Sequence, residues 1–231
     1  VFIFDPLYLI IVGPAILLSL WAQIKVSSTF GKYSKVNAGL SGAEIARRLL
    51  DARNLSNIEI QMSRGTLSDH YDPRQKVLRL SPEVYQGKSL ASLGVAAHEV
   101  GHAIQHAQSY FPLKLRSGLV PIAMFGSNLG PILIILGIFF LAGAASPIGS
   151  LLINLGILAF AGAVLFQVIT LPVELNASHR ALSLLKESGF AAPTHQKAFK
   201  SVLSAAALTY LAAALAAILQ LLYFLMLRGR D

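Results

Sequence analysis

The sequence predicts a membrane α+β protein, with about four transmembrane helices and a small juxtamembrane domain of helices plus a short antiparallel sheet. Three observations predict it. Of its 231 residues 55% are hydrophobic and 13% charged, with a mean hydropathy of +0.62, against a charged share of roughly 25% in soluble domains. Four apolar stretches recur along the chain, each near the ~20 residues that cross a bilayer as a helix. The charge is segregated: 13 of the 19 Lys and Arg lie in residues 25 to 118.

Residues 7 to 24 are uncharged, with Trp21 placed for a membrane interface, and residues 1–24 are read as the first transmembrane helix. A cleavable signal peptide is the competing reading, but no basic segment precedes the stretch and no A-x-A site follows it. Residues 25–118 form the water-exposed region. Ser41 with Glu44 three positions on is a capping box that opens a helix carrying Ile45, Ala46, Leu49 and Leu50 and stopping near Asn54. Alternation at Ile58, Ile60 and Met62, and again at Val77 and Leu80, predicts strands; with a third near 66 to 71 these make the antiparallel sheet. Ser81-Pro82 then starts a short helix. Residues 119–171 read as a transmembrane hairpin turning at Ser146-Pro147, with Gly126, Gly130, Gly137, Gly156 and Gly162 available for close helix contact. Residues 172–201 return to polar character, and 202–231 hold the last span and tail.

This pattern sets sidedness. Regions 25–118 and 172–201 share one face of the bilayer and carry 13 and four basic residues, against two at the C-terminal tail. The excess places that face in the cytoplasm of a multi-pass cell-membrane protein. The net charge of +8 does not indicate nucleic acid, since the basic residues are confined to these loops. There are no cysteines, which excludes disulfides and thiolate metal sites.

Within the polar region lies AAHEVGHAIQH, residues 96 to 106. Ser89 can cap its helix, and Leu90, Leu93, Ala97, Val100, Ala103 and Ile104 form an apolar stripe. His98 and His102 are four apart, so one helix face projects both imidazoles, with Glu99 beside them. A shuffle of this composition gives HExxH roughly 0.4% of the time. The spacing lets two rings converge on one Zn2+, while Glu99 can serve as the base for water whose pKa the metal lowers to about 7. The juxtamembrane domain is therefore expected to be zincin-like.

Two histidines leave a catalytic zinc one protein ligand short, and the remaining choices are His, Asp or Glu elsewhere. His106 lies roughly 12 Å along the helix axis from His98, too far to share the ion, and is expected to be a core or surface histidine. Glu174, where the third span leaves the membrane, is on the right side; a merely solvated acid is the other reading of it.

HEVGH followed after membrane spans by Glu174-x-x-Ala177-Ser178 resembles the gluzincins, the HExxH + Glu metallopeptidases that include integral-membrane CAAX prenyl endopeptidases and heat-shock membrane proteases. DHYDP (69–73), VLRLSPEVY (77–85), AAHEVGHAIQHA (96–107) and LPVELNAS (171–178) are similar to the YugP-like neutral zinc metallopeptidases of bacterial membranes. The resemblance implies that His98, His102 and Glu174 hold zinc, that Glu99 is the base and that peptides are cut. The wider gluzincin pattern has Asp four residues after the Glu ligand, supporting a histidine; here Ser178 stands there, and Asp69 or Asp72 is the candidate substitute. His179, His70 and Tyr71 are candidates to polarise the scissile carbonyl.

The expected activity is endoproteolysis of peptide or membrane-protein substrates, the substrate strand pairing with a free sheet edge beside the metal helix. The alternative is a non-catalytic membrane scaffold carrying a zinc site. A site-2 type intramembrane protease would need HExxH inside a span, which Lys88, Glu99, Gln105 and Gln108 disfavour. A metal transporter would want ionisable groups in the other spans, and those stretches are uncharged.

Overall fold

A computed structural model describes residues 5–141, 147–190 and 192–229. Among the described residues, seven helices and three strands run in the order α1 (Pro6–Tyr33), α2 (Gly42–Asp51), β1 (Glu59–Met62), β2 (His70–Asp72), β3 (Val77–Leu80), α3 (Pro82–Tyr85), α4 (Leu90–Ala107), α5 (Phe111–Leu141), α6 (Pro147–Glu187) and α7 (Pro193–Arg228). Four of them, α1, α5, α6 and α7, are long and apolar enough to cross a membrane. Each runs past the apolar stretch that marks it in the sequence: charge ends the hydrophobic run, while the helix goes on until a turn residue or cap stops it. The turn expected at Ser146-Pro147 falls on residues 142–146, outside the described residues, and Pro147 opens α6.

The chain divides into two compact units. One comprises residues 1–21, 114–172 and 210–231. Its core joins Val12 of α1, Ile134 of α5, Ile153 and Ile157 of α6, and Tyr223 and Phe224 of α7. Inside it α5 and α6 touch backbone to backbone: a Cβ on Gly130 would fall 2.9 Å from the Gly156 carbonyl oxygen, and one on Gly156 2.7 Å from that of Gly130. Small residues permit this approach where lipid supplies no hydrophobic drive for helices to associate. Tyr223 donates to Asp5 at 2.9 Å.

The other unit comprises residues 22–113 and 173–209. Ser41 and Glu44 form the reciprocal capping box at the start of α2, and Asn54, with φ of 57°, turns the chain after it. The buried stripe Ile45, Ala46, Leu49 and Leu50 packs in one core with Leu78 and Leu80 of β3, Leu93, Ala97 and Val100 of α4, Leu184 and Leu185 of α6, and Phe199 of α7. The helix α4 is capped by Ser89, whose hydroxyl accepts from the Ser92 N–H.

The sheet departs from the expectation of an antiparallel one. Its order is β1-β3-β2, with β3 antiparallel to β2 and parallel to β1, Glu59 opposite Val77 and Met62 opposite Leu80. Alternation has a period of two whichever way a strand points, so the sequence pattern carries no direction. What places β3 in the centre is its burial, with Val77, Leu78 and Leu80 all inside, while β1 and β2 are half exposed. The third strand is also shorter and later than 66 to 71. Leu67 has φ of 53°, and Asp69 turns inward to accept from the Ser81 N–H and hydroxyl, so pairing begins only at His70.

Candidate metal centre

One turn of α4 brings the rings of His98 and His102 edge to face, with centroids 4.8 Å apart. Both are close to buried, at 9% exposure each. The last part of α6 lies across them: Glu174, 1% exposed, sets its Oε2 3.1 Å from His98 Nε2 and 3.4 Å from His102 Nε2. Ligand atoms 2.0–2.1 Å from a tetrahedral zinc stand roughly 3.3 Å apart, so these two separations match the edges of such a site. One ligand atom from each of the three residues lies within 4.8 Å of the other two. Two neutral imidazoles and a carboxylate, an N2O donor set, suit zinc, and the group can hold a metal ion.

The crossing depends on Gly101, between the two histidines. A Cβ there would lie 2.6 Å from the carbonyl oxygen of Ala177, a backbone atom that cannot swing aside. On α6, Glu174, Ala177, Ser178 and Ala181 are all buried, at the three- and four-residue spacing of one helix face.

Each histidine presents Nε2 to Glu174 and has its Nδ1 held from behind. Ser178 Oγ is 3.2 Å from His98 Nδ1, and Gln105 Oε1 is 3.0 Å from His102 Nδ1. Gln105 is fully buried, and its Nε2 donates to the Val173 carbonyl at 2.8 Å and to Asn176 Oδ1 at 3.0 Å. On sequence alone Gln105 counted only toward keeping this helix out of the membrane, and Asn176 had no part at all. The available signal for Gln105 was position: three residues beyond His102, it shares that residue's helix face.

Burial opposes a positive charge on His102, but the hydrogen bond its ring donates to Glu174 and the carboxylates of Glu99 and Glu174 outweigh it and raise its pKa above the ordinary value. Glu99 is buried next to His98 and makes no hydrogen bond or ion pair among the described residues, which leaves its oxygens free for a water.

The remaining candidates lie elsewhere. His179 is exposed, five residues and hence roughly 140° around α6 from Glu174, and makes no hydrogen bond to the cluster among the described residues. His70 is exposed and bonds the Ser68 carbonyl through Nδ1 at 2.8 Å. Tyr71 turns its hydroxyl to His106 Nδ1 at 2.9 Å, so these two satisfy each other away from the three-residue group. Asp69 bonds Ser81, while Asp72 accepts from the Arg74 and Gln75 N–H groups and from Arg79. Neither Asp bonds His98 or His102 among the described residues.

Comparison with known proteins adds a family to this geometry. The model of the family described as "Putative neutral zinc metallopeptidase" matches residues 8–229. The chain belongs to this family. A relative in Bacillus subtilis strain 168, named "Putative membrane protease YugP", is 49% identical over 229 residues, covering 97% of this chain and 99% of that protein. No solved structure matches the chain. For this zinc metallopeptidase family member, the four apolar helices and the likeness to a membrane protease agree with a multi-pass membrane protein.

Proposed function

We propose that the protein is a membrane-embedded zinc-dependent metalloendopeptidase of the gluzincin type, with a zincin-like juxtamembrane domain. The observation that carries this reading is the single Glu174 oxygen 3.1 and 3.4 Å from two imidazole Nε2 atoms of one helix turn. His98, His102 and Glu174 hold the ion. Bound zinc supplies a Lewis acid that acidifies water and polarises a peptide carbonyl. Glu99 accepts the proton of the attacking water and passes it to the leaving amine, a transfer within reach of a carboxylate whose oxygens have no protein partner among the described residues.

The substrate is an extended peptide or a segment of a membrane protein. It pairs with the outer edge of β2, the edge strand that packs on α4 and is bonded on its other side to β3. The protein sits in the cell membrane with this site on the cytoplasmic side, since the basic residues of 25–118 and 172–201 outnumber the two at the C-terminal tail. A scaffold with structural zinc would close its site with four protein ligands; the group found among the described residues has three.

Glu99→Gln tests the reading. The variant keeps its zinc and loses about 10²–10⁴-fold in turnover. Proteomics of membrane fractions holding wild type or this variant then reveals fragments that depend on the glutamate. Equal cleavage by the variant in a clean preparation removes the mechanism.

A further inference from the structure

The two histidines are not held alike, and the difference lies in what can donate a proton. Behind His102 runs a chain of amides whose orientation is fixed at both ends by groups with only one hydrogen-bonding role. Arg180 Nε, a donor only, bonds Asn176 Oδ1 at 2.7 Å, which identifies that atom as the amide oxygen. Gln105 Nε2 bonds this oxygen at 3.0 Å and the Val173 carbonyl at 2.8 Å; both are acceptors, so the Gln105 atom between them is the NH2 group. Its other terminal atom, Oε1, therefore faces His102 Nδ1 at 3.0 Å and can only accept. His98 is backed instead by the Ser178 hydroxyl, which donates or accepts as its hydrogen rotates.

We infer that Gln105 is a positioning residue that locks His102 in the Nδ1–H tautomer, so that the Nε2 lone pair is presented to the ion in advance of binding. The inference rests on the zinc reading above. The lock is buried, since Gln105 is 0% exposed, so water cannot replace it without a cavity being opened. It is also anchored outside the ligand set: Arg180 bonds Gln108 Oε1 at 2.7 Å and stacks over the Tyr110 ring, which ties Asn176 of α6 to the end of α4. An imidazole left to choose between tautomers would point a hydrogen at the ion for part of the time. Gln105 removes that state.

The test is a zinc titration of the detergent-solubilised protein against a chromogenic chelator, for wild type and Gln105→Met. Thermal unfolding in chelator checks each metal-free fold. Wild type should bind one equivalent; no binding by wild type overturns the zinc reading itself, separately from this inference. Gln105→Met matches the volume without the acceptor and should bind zinc about 10–100-fold more weakly, the usual cost of losing an outer partner of a ligating histidine. Wild-type affinity in Gln105→Met overturns the lock. If Gln105→Met does not fold, the tautomer itself decides: histidine side-chain 15N shifts of the wild-type protein in chelator should show the neutral His102 ring protonated on Nδ1, opposite Gln105 Oε1, and protonation on Nε2 overturns the lock.

Discussion

The Ala177 carbonyl oxygen of α6 lies where a Cβ on Gly101 of α4 would come within 2.6 Å of it, so the two helices cross at this distance only because residue 101 has no side chain. The same crossing sets Glu174 and Ser178 against the imidazoles. Gly101→Ala should push the helices apart and cost about 1–3 kcal/mol as overpacking of a filled contact. Because the displaced element carries Glu174, zinc affinity should fall together with the unfolding temperature, which thermal melts with and without added zinc would read.

Glu174→Ala removes the carboxylate shared by both histidines. It should lose more affinity for zinc than the roughly 10–100-fold expected for an outer partner. Full zinc occupancy in this variant, measured by elemental analysis after dialysis, would exclude Glu174 as the third ligand.

His106→Ala supplies the contrast. His106 faces Tyr71, and the hydrogen bond between them at 2.9 Å should be worth about 0.5–1.5 kcal/mol of stability. Zinc stoichiometry and affinity should be unchanged. Loss of the metal from a folded variant would mean that His106 also takes part in the site.

Proton linkage follows from the raised pKa of His102, where the nearby carboxylates outweigh the cost of burying charge. In the metal-free protein a proton on His102 stabilises the fold fully below the unfolded histidine value of about 6.5. That contribution is lost as pH rises through the higher folded value. Zinc needs the neutral ring and must displace this proton, so affinity should fall as pH drops through the same window. Calorimetric titration in buffers of different ionisation enthalpy should register proton release on binding. Affinity that does not change across that window would remove the linkage.

Much of this protein was determined locally. The capping box of Ser41 and Glu44, the Ser89 cap and the one-turn spacing of His98 and His102 all act within a few residues, and the four spans follow from length and apolarity alone. Direction and partnership are different. Whether β1 runs parallel or antiparallel to β3 leaves no mark on its alternation, and burial of β3 on both faces decided the order of the sheet. Glu174 stands 76 residues from His98, and sidedness brought it only as far as the right face of the bilayer. Its approach to 3.1 Å needed the bare backbone at Gly101 and the buried face of α6, and the role of Gln105 needed the fixed carbonyl of Val173. Such contacts join segments far apart in the chain, and the space left between packed backbones, which no short window of sequence encodes, decides them.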